Sequence, residues 1–401
     1  MAAAAVFLVS WALLHHGVYA AEEIVDIPVY ETYGNAIEGG KMPYRDFRLE
    51  YPPGALPVFA LPALASERGD EEGFRRAFER LMAACGVAAV LLAALVLAGL
   101  RASRLRVVAA LGFVAVFPLL LGNVVLTRFD LWPVVFVLAA LAALVWERDR
   151  LGFGLLGVAV AAKLFPAVLV PLALSVVWRR RGRREALVCL GIFGAVVAVA
   201  FLPFLVLAPD GVAYSFGRQL GRPLQIESLG SAVLLGLHHL VGLDIEMRSS
   251  AGSQNLDGAL PAVVGWTLSL AQLGVLTWIW LRRPVGAEAL VRWSAAALVA
   301  FVALGKVLSP QFLVWLVPIV PLVAGWRGVR AAALLAAALV LTQLWFPYRY
   351  WELALEFDGA ASALVLVRDL VLVALVVVLV RERGRAPARS PSRALSPGRS
   401  R

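Results

Sequence analysis

The chain has 401 residues, 61% of them hydrophobic and only 16% charged, with a formal net charge of +10 at neutral pH. A soluble protein of this size would leave far too much apolar surface in water, so the composition specifies a polytopic membrane protein. The positive excess does not point to nucleic acid, because the arginines fall in short runs between apolar segments and no soluble basic module carries them.

The first apolar stretch, 4–20, is read as a retained span, since its Val18-Tyr19-Ala20-Ala21 end is only faintly like a signal-peptidase site and no basic n-region precedes it. Further spans of about 20 residues are expected near 79–100, 107–126, 131–146, 185–207, 259–281, 288–304, 311–325, 329–346 and 360–380. The stretch 151–178 is long for one span and is interrupted by Lys163 and Pro166. Glu147-Arg148-Asp149-Arg150 precedes it and Arg179-Arg180-Arg181-Gly182-Arg183-Arg184 follows. Two short helices meeting at Lys163 keep both flanks, and every other basic loop, on the cytoplasmic side. The expectation is an all-α integral membrane fold of about twelve helices with both termini cytoplasmic.

That arrangement leaves two long loops on the outer side, 21–78 and about 208–258. In the first, Pro53 to Ala65 is apolar but too short to span, and the charged stretch 66–80 around Phe74 and Phe78 reads as an amphipathic interfacial helix. The membrane domain is expected to end near residue 381, with 382–401 a disordered basic cytoplasmic tail of Arg, Ser and Pro.

Candidate chemistry concentrates at the outer ends of the helices. Asp26 lies just beyond the first span among Ile24, Val25 and Ile27, a carboxylate flanked by groups that favour burial. Such a group is placed to act as general base on an amphiphile's hydroxyl, whereas Glu22 and Glu23 read as solvated loop acids. Next, Tyr44, Arg45, Asp46, Arg48, Glu50 and Tyr51 interleave aromatics with charges. This suits either a sugar, whose C–H faces stack and whose hydroxyls take paired hydrogen bonds, or an interfacial aromatic belt with internal ion pairs. The only lysines are Lys41, Lys163 and Lys306, all on the expected outer side against the usual charge bias. Lys163 and Lys306 stand at helix ends, either as phosphate ligands or as side chains reaching to the interface. Arg128 and Asp130 flank Phe129 in a short outer turn and can pair locally. The second loop offers Arg218, Arg222, Gln225 and Glu227 in one run. His15, His16, His238 and His239 have no acidic or Cys partner at metal spacing, Cys85 and Cys189 sit in apolar stretches, and no Gly-rich nucleotide loop, Asp-x-Asp pair or nucleophile elbow is present. No metal or cofactor is expected.

These segments resemble the polytopic C-superfamily glycosyltransferases, most closely glycosyltransferase family 87, the polyprenol-phosphate-mannose-dependent α-mannosyltransferases and their arabinofuranosyl relatives. The resemblance rests on Asp26-x-x-Val29-Tyr30, Pro43-Tyr44-Arg45-Asp46-Phe47 with Glu50-Tyr51-Pro52-Pro53, Arg128-Phe129-Asp130-Leu131, Lys163-Leu164-Phe165-Pro166, Gln225-Ile226-Glu227-Ser228, and Lys306 through Gln311 with Trp315. It implies sugar transfer from a polyprenyl-phosphate donor to a lipid-linked or cell-envelope glycan on the extracytoplasmic face of the plasma membrane, without nucleotide. Asp26 would then be the base. Tyr30, Tyr44, Arg45, Asp46, Glu50, Tyr51, Gln225, Glu227 and Gln311 would hold sugar or acceptor, and Lys163, Lys306, Arg222 and Arg128 the donor phosphate. Asp26 lacks the acidic neighbour that many of these enzymes show, which leaves Asp46 or Glu50 open as partners in the base role. The rival reading is a multi-pass secondary transporter or flippase of lipid-linked sugars. It would need ionisable residues at mid-bilayer, whereas almost all of those here lie at helix ends.

Overall fold

The computed structural model describes residues 1–20 and 24–381. Glu22, Glu23 and the 382–401 tail lie outside the described residues. In lipid every backbone polar group must be bonded within the chain, and the apolar segments answer this by forming helices. Helix α1 (Ala2–Leu13) is shorter than the expected first span, because His15-His16-Gly17 turns the chain at Gly17 (φ +61°) into a 3-10 turn, Gly17–Ala20. Its Phe7 is fully buried and meets Phe117 at 6.2 Å between ring centres.

The first long loop folds as α2 (Ile27–Glu38) and α3 (Leu56–Leu64), which pack together and against α4 (Glu71–Gly99). The charged stretch 66–80 is not a separate interfacial helix: from Glu71 on it forms the first turns of α4 itself. Asp70 caps that helix by accepting from the Gly73 N–H at 2.9 Å. Nothing between Phe74 and Met82 breaks the helix, and its charges pair along one face, as in Arg75–Glu79 at 3.0 Å.

Helices α5 (Arg104–Leu121), α6 (Val124–Thr127), α7 (Leu131–Val145) and α8 (Asp149–Ala162) follow. Lys163 is extended and a 3-10 turn leads into α9 (Val170–Leu207), which is broken at Gly182 (φ +84°). The expected hairpin is therefore two short helices meeting at Lys163. At its opposite end the Arg179–Arg184 run turns back on the acids at the start of α8, with Arg181 Nε 2.8 Å from Asp149.

Beyond α9 the second long loop holds α10 (Pro209–Leu220), β1 (Leu224–Gln225), α11 (Leu229–Val241), β2 (Glu246–Ser250) and β3 (Ser253–Asp257). The strands form a small antiparallel sheet in the order β1-β3-β2, with Gln225 opposite Asn255. Its hairpin turns on Ala251 (φ +53°) and Gly252 (φ +70°), as two-residue turns between twisted strands require. Helices α12 (Ala259–Trp280) and α13 (Ala287–Ala303) are followed by α14 (Gly325–Trp345), α15 (Tyr350–Glu356) and α16 (Gly359–Val380).

The span expected at 311–325 is not an α-helix. Pro310, Pro318 and Pro321 leave two 3-10 turns, Pro310–Trp315 and Val320–Leu322, whose irregular backbone is buried within the protein. Among the described residues six helical segments are long and apolar enough to cross a membrane, and the chain is a multi-pass membrane protein.

Candidate active site

One cavity of about 1030 Å³ opens where the first long loop, the turn before α7, the Lys163 turn, the α10–β1 link, α12 and the 301–315 segment converge. Its lining includes Asp26, Tyr30, Tyr44, Glu50 and Tyr51, with Arg128 and Lys163. Arg222, Gln225, Glu227, Lys306 and Gln311 line it as well.

Asp26 occupies the N-cap position of α2, yet its side chain makes no capping bond. The carboxylate turns to Arg128, with which it forms an ion pair, while its Oδ2 accepts from the Tyr30 hydroxyl at 3.2 Å. Arg128 also donates to the Ile24 carbonyl at 3.1 Å, and burial pulls its guanidinium down to about 10. Arg128 and Asp130 therefore do not pair with each other. Asp130 is buried, and its Oδ1 receives Lys163 Nζ at 2.6 Å and Trp315 Nε1 at 2.5 Å. Its Oδ2 has no hydrogen-bond partner among the described residues.

Trp315 is clamped between Phe165 (4.0 Å, interplanar angle 2°) and Phe312 (4.2 Å, 20°). Lys163 Nζ sits 4.6 Å from the Phe129 ring and 5.2 Å from that of Trp315. Burial lowers the Lys163 ammonium from its ordinary value, and the Asp130 carboxylate opposes that. The sequence alone does not single out Asp130 as a site residue: an acid enclosed by Phe129 and Leu131 is accounted for by local pairing with Arg128.

Tyr30 and Tyr51 belong to an aromatic wall. Tyr30 stacks on Phe59 at 5.1 Å and Tyr51 meets Phe129 edge-on at 5.0 Å. Tyr44 donates to the Tyr51 carbonyl at 2.6 Å, which folds 44–51 back on itself. Close approach anchors the end of this loop: a Cβ on Gly54 would lie 2.6 Å from the Ala161 carbonyl carbon, and the Gly54 carbonyl accepts from Trp132 Nε1 at 2.9 Å. Glu50 pairs with Arg218 at 2.8 Å and its carbonyl accepts from Gln219 at 3.1 Å, which ties α10 to the loop.

Arg45 and Asp46 fall elsewhere. They do not line the cavity; they pair with each other at 2.8 Å in solvent, and the hydrogen bond from Arg45 helps to hold the Asp46 carboxyl down to about 2. Alternation along an irregular loop does not fix which side chains face inward, and here Tyr44 and Tyr51 take the inner positions.

β1 and the turn after it bring Gln225 and Glu227 to the cavity. The Gln225 N–H donates to the Lys306 carbonyl at 3.0 Å, and Ser231 Oγ donates to the Gln225 carbonyl at 2.7 Å. Glu227 is buried, accepts from the Gln225 side chain, and is pushed by desolvation up to about 7. Arg222 is lowered by burial, and its Nε has no hydrogen-bond partner among the described residues. Lys306 lies 5.2 Å from the Trp266 ring, donates to the Leu220 carbonyl at 3.2 Å, and is lowered by partial burial. Gln311 accepts from Ser309 Oγ at 2.5 Å. The lining also includes apolar side chains, among them Phe201, Phe216, Leu220, Trp266 and Phe301. The lining thus carries four cations, Arg128, Lys163, Arg222 and Lys306, against three carboxylates, Asp26, Glu50 and Glu227. Such a balance suits an anionic headgroup on an apolar chain.

No curated protein sequence matches the chain significantly. Solved structures to which it is similar include ArnT from Cupriavidus metallidurans bound to undecaprenyl phosphate (15% identity, 94% of this chain, 75% of that one, TM-score 0.49). Another is the apo oligosaccharyltransferase of Archaeoglobus fulgidus (15% identity, TM-score 0.43), of which this chain covers 94% of its own length but only 55% of the other's. The profile of glycosyltransferase family 87 matches residues 49–310, more than half of the chain; Asp26 precedes that span and Gln311 immediately follows it. The chain belongs to glycosyltransferase family 87.

Proposed function

We propose that the protein transfers a sugar, mannose in the first instance, from a polyprenyl-phosphate-linked donor to a hydroxyl of a lipid-linked or cell-envelope glycan. The supporting observation is that one cavity joins a partly exposed carboxylate, a cation-rich wall and an apolar cleft. Asp26 takes the proton of the acceptor hydroxyl, whose oxygen attacks the anomeric carbon. The bond from that carbon to the phosphate oxygen breaks, and its electron pair leaves with the polyprenyl phosphate. Direct displacement inverts the anomeric centre. Arg128 and Tyr30 orient Asp26, while Lys163, Arg222, Lys306 and Arg128 stabilise the charge that grows on the leaving phosphate. Tyr44, Glu50, Tyr51, Gln225, Glu227 and Gln311 provide the stacking face and polar groups that hold sugar and acceptor. Arg45 and Asp46, exposed outside the cavity, have no part in this reading.

Purified protein in nanodiscs, given polyprenyl-phosphate [¹⁴C]mannose and a glycolipid extract, should release polyprenyl phosphate in step with labelled product. Movement of the lipid-linked sugar across the bilayer with the sugar–phosphate bond intact would favour a flippase instead. We place the cavity on the extracytoplasmic face of the plasma membrane, on the distribution of basic loops. Impermeant thiol labelling of intact cells should mark Asp70→Cys and spare Gly182→Cys; the reverse pattern overturns the placement.

A further inference from the structure

Outside the cavity, at the middle of α16, two adjacent charged residues, Arg368 and Asp369, are completely buried. An apolar helix of 22 residues bears such a pair at considerable cost. Neither side chain lines the cavity, and both lie beyond the family-matched residues. The geometry gives the pair a direction. Arg368 Nε meets Asp369 at 2.8 Å, and Arg368 Nη2 donates at 2.7 Å to the carbonyl of Glu227. Trp345 closes the remaining side, its ring 5.7 Å from the guanidinium. A charge is not needed to dock α16, which already packs on α11, α13 and α14. The guanidinium is instead aimed at the one short segment, 225–228, that carries a buried carboxylate into the cavity.

Resting on the reading of this cavity as the transfer site, we propose that Arg368 is a positioning residue of the reaction. From behind the wall it fixes the 225–228 segment and keeps the Glu227 carboxylate ionised, able to accept a hydrogen bond from a sugar or acceptor hydroxyl. The groups that act on Glu227 are Arg368 from α16, Arg222 from the α10–β1 link, Arg128 from the turn before α7, Tyr350 from α15 and Gln225 from β1. Arg222 and Arg128 line the cavity and are engaged by an anionic donor when it binds; Arg368 is not. It therefore remains to support the Glu227 charge in the loaded site. Burial pushes Glu227 up to about 7 even with these cations in place, so losing one of them makes the group a neutral donor at neutral pH.

Infrared difference spectra between the wild type and Glu227→Gln isolate the Glu227 carboxyl band, and its pH midpoint is read in nanodiscs without turnover. The neutral exchange Arg368→Met/Asp369→Asn, which leaves no uncompensated charge, should raise that midpoint by about one pH unit or more. Arg368→Lys, which keeps the charge, should leave it within about half a unit of wild type. The acid limb of the kcat/KM profile should move upward with the midpoint. An unchanged midpoint in the neutral exchange, whatever the activity, overturns the proposal, because a purely structural role would alter stability and leave the titration in place. A raised midpoint with an unmoved acid limb also overturns the role in the reaction. A raised midpoint in a protein whose wild type transfers no sugar leaves the hold on Glu227 standing and removes the transferase reading alone.

Discussion

The two ends of the hairpin formed by α8 and the first part of α9 each bury an aspartate against cations, and they differ in what those charges have left to do. At the basic end Asp149 is met by both Arg180 and Arg181, the latter at 2.8 Å, and none of the three lines the cavity. At the Lys163 end Asp130 takes Lys163 and Trp315 on one oxygen, its other oxygen has no hydrogen-bond partner among the described residues, and Lys163 faces the cavity. Buried ion pairs are costly to make and add little net stability. The Asp149 cluster is accounted for by neutralising helix ends where the chain turns. The Asp130 pair is not, because its cation also lines a cavity with an excess of positive charge. The lesson is that pairing alone does not mark function; pairing that leaves capacity directed into a cavity does.

The largest effect expected at the cavity end is that of Asp26→Asn. Losing an acid–base group costs about 10²–10⁴ in rate, here with membrane insertion and thermal stability near wild type, since Asp26 is partly exposed and Arg128 keeps its bond to the Ile24 carbonyl. Initial rates with the polyprenyl-phosphate sugar decide the matter, and wild-type turnover by the variant would transfer the base role to another carboxylate, with Glu227 first in line.

A direct comparison of the two ends uses neutral exchanges of the same kind at each. Lys163→Met/Asp130→Asn removes the cation proposed to bind the donor phosphate without stranding its partner, and should lower donor kcat/KM by about 10- to 150-fold. Both kcat and KM should respond, since the leaving group gains charge as its bond breaks. Arg180→Met/Arg181→Met/Glu147→Gln/Asp149→Asn, which also removes the second acid that pairs with these arginines, should leave kcat/KM within about threefold, as replacement of buried pairs is often near neutral. Equal losses at the two ends would break the comparison and make the Lys163 pair structural as well. Lys306→Met should resemble the Lys163 exchange at about tenfold, and Lys41→Met, exposed in solvent, should match wild type.

Much of this was legible in the chain. The spans follow from runs of apolar residues, and the hairpin at Lys163 follows from charge on its two flanks. Three features escaped for physical reasons. The 311–325 run is as apolar as a span, but its prolines remove the backbone donors a helix needs, and burial within the protein satisfies the rest. The continuity of α4 through 71–80 depends on a cap at Asp70 rather than on composition. The role of Asp130 depends on Lys163 and Trp315, distant in sequence, and periodicity says nothing about partners 33 and 185 residues away.

Glu227 sharpens the comparison through pH. Its folded-state value is raised from the ordinary 4.5 to about 7 by burial. A raised value means that its contribution to stability is complete below the unfolded value and is lost as pH rises through about 7. The wild type should therefore lose stability relative to Glu227→Gln between about pH 5 and pH 8, by about 2–4 °C in Tm. Thermal unfolding in detergent at several pH values measures this. A gap that does not change with pH would mean that Glu227 is ionised throughout.

The smallest effect is expected where the sequence pattern was most suggestive. Arg45 and Asp46 share their run with Tyr44 and Tyr51, and alternation of aromatics with charges is what a sugar site needs. Yet their side chains pair with each other in solvent, while Tyr44 and Tyr51 face the cavity. Held low by the hydrogen bond from Arg45 and placed outside the cavity lining, Asp46 is not positioned to meet an acceptor hydroxyl there. An exposed pair of this kind is screened and contributes little. The double exchange Arg45→Gln/Asp46→Asn should therefore change kcat/KM for donor and acceptor by less than about threefold, with no displacement of the pH profile. Tyr51→Ala, from the same run, should weaken acceptor or sugar binding, because it removes an aromatic face from the wall. Acceptor kinetics on the two variants separate an inward aromatic pair from an outward charged one. A large loss in the Arg45/Asp46 variant would mean that the loop closes over the bound substrate and brings those charges inward.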